Sequence, residues 1–201
     1  PFTVVDATKD EWGDRQREWI EAGIEPGGHL TDDPVAWEIL LHWFSAPGHK
    51  ISNPFGANET LERVTEAMGR TVADEAPTDL LIGGPTPNEL EDSLWAGYLH
   101  RCAACLSDNR FAVFLVPDLR TKRGELLGIP EKFAAEGERA GLRYYNDAAI
   151  ITEPSRAPGL DGKASLPDSH MRLIGFAKGD PMAAAKGLGE VDVADPAEQY
   201  G

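Results

Sequence analysis

The sequence predicts an α/β protein built on one mainly parallel sheet with an antiparallel edge strand. Strand-like apolar runs alternate with helix-like segments along most of the chain, and the last two strands, near 142–153 and 170–179, follow each other without a helix. The unbroken apolar run "FAVFLV" at 111–116 marks a strand buried on both faces, as a parallel strand between helical layers must be.

Residues 9–23 place Trp12, Trp19 and Ile20 on one helical face and charges elsewhere. After the loop "EPGGHLTDD", Asp32 or Asp33 caps a helix over 34–44, with Pro34 in its first turn and Trp37, Leu40, Leu41 and Phe44 as its apolar stripe. A short strand in "KISNPF" follows. Next comes a helix in "NETLERVTEAMG", capped by Asn58 and ended by Gly69. The run "DLLI" at 79–82 is a buried strand stopped by Gly83-Gly84-Pro85, and a long helix is predicted over 88–109. The strand at 110–118, a helix over 129–141 and the final strand pair complete the pattern, with a Pro/Gly/Ser loop at 154–169. The chain reads as a single domain, 1–201, with N-terminal helices over 1–48, a sheet core over 49–179 and a tail over 180–201.

With 201 residues the chain can bury one good-sized core. Nineteen Lys and Arg against 34 Asp and Glu give a formal charge of −15, a surface that repels a polyanion, so DNA contact is not expected. No apolar run approaches the length of a membrane span, and no charged-then-apolar leader precedes the first helix. Neither secretion nor membrane attachment is expected.

Conventional catalytic and metal signatures are sparse. Cys102 and Cys105, with His100 beside them, resemble half a zinc site without its second pair; on a helix they share a face with Leu99 and Leu106 and read as reduced core residues. His29, His42, His49, His100 and His170 are scattered, and Ser93 and Ser107 lack a nucleophile elbow. Arg120, Lys122 and Arg123 in "RTKRGE" read as a solvated loop rather than a phosphate contact. No metal is expected.

Several stretches together resemble the DNA amino-methyltransferases of bacteriophages and bacteria. "EWGDRQREWIEAGI" followed by "DDPVAWEILLHWFSAPGHKISNPFG" is similar to that family's entry helices and first strand. The region from "RFAVFLVPD" to "AAIITE" is similar to its fifth strand, next helix and sixth strand, and "HMRLIGFAKGDPMAAAKGLGE" to its closing strand. The resemblance implies a Rossmann-like methyltransferase fold. It also implies S-adenosylmethionine-dependent methylation of adenine N6 or cytosine N4, and a location in the bacterial cytoplasm or a phage particle.

The departures fall on the catalytic parts. The family's cofactor turn, D-P-F-x-G-x-G, corresponds to Asn53, Pro54, Phe55 and Gly56, with Ala57-Asn58-Glu59 where further glycines belong. Its D/N-P-P-Y/F motif corresponds to Gly84, Pro85, Thr86 and Pro87, which offer neither an acceptor for the target amine nor a ring to stack on a flipped base. Only nine residues, "RTVADEAPT", stand where the family places two strands and a helix, so the ribose-holding carboxylate has no evident place.

The expected sheet is therefore reduced to about five strands, in the family's order 1-4-5-7-6. Gly83 to Pro87 should form an exposed turn free of carboxylates, with Asp79, Asp118 and Glu153 as the groups whose presence would revive catalysis. The strand at Ile51 becomes an outer edge, covered by Phe2–Val5 or paired with a partner protein or second copy. No catalytic residue and no cofactor are expected, and the chain reads as a catalytically degenerate, phage-encoded binding or structural component. The alternatives are an active S-adenosylmethionine-dependent enzyme using Asn53 or Asn88 to hold the amine, and an acidic decoy for a DNA-binding protein.

Overall fold

The structure is a computed structural model that describes residues 9–27, 29–85, 95–117, 119, 123, 125–151 and 170–188. Helix α1 (Lys9–Glu21) is followed by a 3-10 turn (Leu30–Asp32) and α2 (Pro34–Phe44). Asp33 caps α2 by accepting from Val35 N at 2.9 Å, and the same carboxylate accepts from Trp12 Nε1 and Gln16 Nε2 of α1 at 3.0 and 2.7 Å. Trp19 Nε1 donates to Glu38 at 2.7 Å. The cap that starts α2 therefore also docks α1.

Strand β1 (Lys50–Ser52) leads into α3 (Glu59–Ala67), then β2 (Thr71–Val72) and β3 (Thr78–Gly83). Helix α4 (Trp95–Cys105) runs directly into β4 (Leu106–Val116), α5 (Ile129–Arg139) precedes β5 (Arg143–Ile151), and β6 (His170–Lys178) leads to α6 (Pro181–Lys186). The six strands are ordered β2-β1-β3-β4-β6-β5, with β1 to β4 parallel and β6 antiparallel to both neighbours.

Successive residues of the central strands serve opposite layers. Leu80, Ile82, Phe111, Val113 and Leu115 pack with Trp37, Leu40, Leu41 and Phe44 of α2. Leu81, Ala112, Phe114, Val116, Ile174 and Phe176 pack with Leu99 and Cys102 of α4 and with Phe133 of α5. Alternation on a sheet covered on both sides is what makes residues 111–116 read as an unbroken apolar run.

Three expectations are corrected. The sheet has six strands, because Thr71 and Val72 pair with Lys50 and Ile51. Ala73 N extends that ladder by donating to Ile51 O at 2.8 Å. Hence β1 is paired on both sides and Ile51, 2% exposed, offers no edge to a partner. The edge is β2, whose two-residue length is itself a protection against strand pairing. Toward the other edge the order β1-β3-β4-β6-β5 is the expected one, with the reversed strand β6 paired to both β4 and β5. Finally, β4 begins at Leu106, inside the predicted long helix; between Thr78/Leu106 and Leu80/Phe111 it carries a bulge, with Asn109 at φ 56°. A further helix, α6, forms within the tail expected over 180–201; Asp180 caps it through Met182 N at 3.0 Å. Phe2–Val5, the loop at 154–169 and residues 189–201 lie outside the described residues.

Candidate functional site

The C-terminal ends of β1 and β3 meet where open α/β sheets hold ligands. After Ser52, Asn53 folds back on its own turn: its Oδ1 accepts from Phe55 N at 3.0 Å, and Gly56 N donates to Asn53 O at 3.4 Å. Gly56 has φ 107°, a conformation that glycine alone adopts without strain. Asn58 then does two jobs. Its Oδ1 caps α3 through Leu61 N at 2.8 Å, and its Nδ2 donates to Thr31 O at 2.9 Å. Trp37 Nε1 donates to the same carbonyl, also at 2.9 Å.

This double anchor seats Thr31 of the 3-10 turn on the end of β3. A Cβ at Gly84 would stand 2.7 Å from Thr31 Cγ2 and 3.3 Å from Leu115 O. A Cβ at Gly83 would overlap Asn53 Oδ1 and stand 3.2 Å from Phe55 Cδ2. Both glycines are therefore explained by contact with the chain's own side chains, and no ligand is needed to account for them. Phe55 completes the packing, its ring set edge-on to Phe114 with centroids 5.6 Å apart and tilted against Tyr98 at 5.7 Å. The guanidinium of Arg101 lies 4.4 Å over the Tyr98 ring.

The expected exposed turn is thus a packed one, with Gly83 and Pro85 buried and Gly84 half-buried. Of Asn53, Pro54, Phe55 and Gly56, the side chains of Asn53 and Phe55 lie against Gly83, while Gly84 meets Thr31 and Leu115. Thr86, Pro87, Asn88, Ser93, Asp118, Arg120, Lys122 and Glu153 lie outside the described residues. Asp79 is held lower on β3, accepting from Lys50 N at 3.0 Å and Arg110 Nε at 3.1 Å. Burial raises its pKa, but these donors outweigh burial and hold the carboxyl below the usual range. It is a structural ion pair within the sheet.

Cys102 is a core residue, 1% exposed. Burial, with Cys105 adding to it, pushes its thiol up to about 12, so it is inert as a nucleophile at neutral pH. His29, His42 and His100 are exposed, while His49 Nδ1 accepts from Ala46 N at 3.2 Å. No cluster of three or more metal-ligating side chains occurs among the described residues.

A cleft of about 130 Å³ remains beside the closed turn, between α3 and the β1–β2 pair. Sequence reading missed three of its features. Asp74 stands just past the end of β2, Glu62 projects from α3, and Thr65, fully buried, has an Oγ1 with no hydrogen-bond partner. Asp74 lies in "RTVADEAPT", where a strand of two residues leaves no periodic signal.

Among the described residues, Thr31, Asn53 and Phe55 fill the space over Gly83 and Gly84, and the cleft beside them is well below the roughly 300–1,000 Å³ usual for a ligand the size of S-adenosylmethionine.

No protein-family model matches the chain, and no curated protein does. Among solved structures, the chain superposes on the precorrin-6y C5,15-methyltransferase of Geobacter metallireducens with a TM-score of 0.50 at 8% identity, covering 79% of this chain and 94% of that one. A methyltransferase from Pyrococcus furiosus gives 0.48 at 12% identity, over 86% and 98% of the two chains. A candidate DNA modification methylase from Thermus thermophilus gives 0.41 at 13% identity; 67% of this chain is covered, and it spans only 54% of that protein. The likeness is one of fold: a Rossmann-like sheet of the methyltransferase type.

Proposed function

We propose that this chain is a phage-type DNA methyltransferase fold that no longer transfers methyl groups and works as a non-catalytic binding component of a larger assembly. The observation that supports it is the closed strand-end turn. Thr31, Asn53 and Phe55 occupy the space over Gly83 and Gly84, and the Asn53 amide is committed to Phe55 N. An amide so engaged is not presented to a target amine. The expected partner is a protein, and the charge of −15 disfavours a polyanion.

One observation favours the runner-up, an enzyme with an atypical site. Asp74 follows β2 at the position where Rossmann-type sites hold ribose hydroxyls. Calorimetric titration of the whole chain with S-adenosylmethionine separates the two. The proposal expects no saturable heat and no methyl transfer to DNA; saturable micromolar binding overturns it.

A further inference from the structure

We propose that His49 is an acid-sensitive latch: its neutral ring holds the edge strand β2 on the sheet, and protonation releases β2 and bares the edge of β1.

The geometry fixes which form of the ring closes the turn between α2 and β1. His49 N donates to Ala46 O at 3.1 Å, and Ala46 N donates back to His49 Nδ1 at 3.2 Å, so the same two residues close the turn twice. A ring nitrogen accepts only while it carries no proton. Protonation gives Nδ1 a hydrogen aimed at the Ala46 N–H, and two donors then face each other.

Strand β2 is anchored on this turn. Thr71 N donates to His49 O at 3.0 Å, and Gly48 N donates to Gly69 O at 2.8 Å. Beyond those bonds β2 meets the sheet through two register pairs, Lys50 with Thr71 and Ile51 with Val72, and through Ala73 N on Ile51 O. A strand of two residues depends on its anchors, and an edge so short opens before the core does.

The surroundings oppose a charged ring. Arg70, in the turn before β2, and Arg110, on β4, act against a positive charge there, and Lys50 is the next residue of the chain. Asp79 on β3 favours the charge, but it already accepts from Lys50 N and Arg110 Nε. The last turn of α2 carries no acid, only His42. Burial is the largest influence on the His49 pKa and lowers it; Asp79 works against burial, the two arginines work with it, and the net position is below the ordinary 6.5. A base whose folded pKa is depressed gives stability that is complete above the unfolded value and lost as pH falls through the folded one.

The test follows the full chain by NMR from about pH 7.5 to about pH 5, reading the His49 ring titration and the exchange protection of single amides, corrected for intrinsic rates. The ring should titrate below 6.5. Over the same interval protection at Ala46, Thr71 and Ala73 should fall about tenfold, while Val113 in β4 keeps its own. His49→Asn sets an oxygen where Nδ1 stands and does not titrate, so the same three amides should stay protected throughout. His49→Ala has no acceptor and should show, at the upper pH, the low protection that the wild type reaches only in acid. Protection at Thr71 and Ala73 that is independent of pH, or an equal fall in His49→Asn, overturns the proposal. An equal fall at Val113 also overturns it, because the event is then global unfolding. The coincidence of ring titration and amide release in the wild type decides the matter even where His49→Asn fails to fold.

Discussion

Substituting Gly83 by Ala tests why the strand-end turn holds glycine. If the turn is closed by the chain's own side chains, the added methyl group has nowhere to go. It overlaps Asn53 Oδ1 and presses on Phe55 Cδ2 at 3.2 Å. Moving the Asn53 side chain breaks its 3.0 Å bond from Phe55 N, a loss of about 1–2 kcal/mol. Overpacking adds about 1–3 kcal/mol, and replacing glycine within a strand returns about 0.5–1 kcal/mol. The net expectation is a destabilisation of about 2–3 kcal/mol, read from urea unfolding followed by tryptophan fluorescence, with the midpoint falling and the slope unchanged. Asn53→Ala supplies the control. In that background the methyl group no longer meets an amide, so Gly83→Ala should cost less than about 1 kcal/mol, a coupling of about 1–2 kcal/mol between the two sites. A single-variant cost below about 0.5 kcal/mol, or the same cost in both backgrounds, would refute the closed-turn explanation and return the glycines to a ligand.

Arg70 is buried with no carboxylate partner among the described residues; it donates to Ser45 Oγ, Ser45 O, Leu41 O and Met68 O at 2.7–3.3 Å, closing the C-terminus of α2, and burial lowers its pKa. Arg70→Ala should therefore cost about 3 kcal/mol in the same unfolding assay, and a loss below about 1 kcal/mol would show that water replaces these bonds. Burial alone would raise the Asp147 pKa, but Arg172 and Tyr144 outweigh it and hold the carboxyl below its ordinary 3.8. A depressed carboxyl pKa gives stability that is present above the unfolded value and lost as pH falls through the folded one. The stability difference between wild type and Asp147→Asn should thus be largest near neutrality and shrink below about pH 4; urea unfolding across pH checks this, and a pH-independent difference would refute the ion-pair account.

Local chemistry determined much of the fold from sequence. The Asp33 and Asn58 side chains make the predicted caps, because a cap bonds an amide only two or three residues away. Burial of 111–116 on both faces was legible because a strand's side chains point to opposite faces wherever it lies, so an unbroken apolar run needs cover on both sides. The closing strand pair was legible because the Pro/Gly/Ser-rich stretch between them carries no helical period. What the sequence could not settle were features made by distant partners. Thr71 and Val72 form a strand only because β1 offers them an unpaired side, and two residues carry no period. The early start of β4 is set by pairing of Leu106 with Thr78, which overrides local helix propensity. The family resemblance makes the glycine-rich turn a lost catalytic motif. Its physical cause is long-range: a threonine 53 residues earlier, fixed by Trp37 and Asn58, rests on Gly84. Glycine records that something approaches closely, and only the tertiary structure says what.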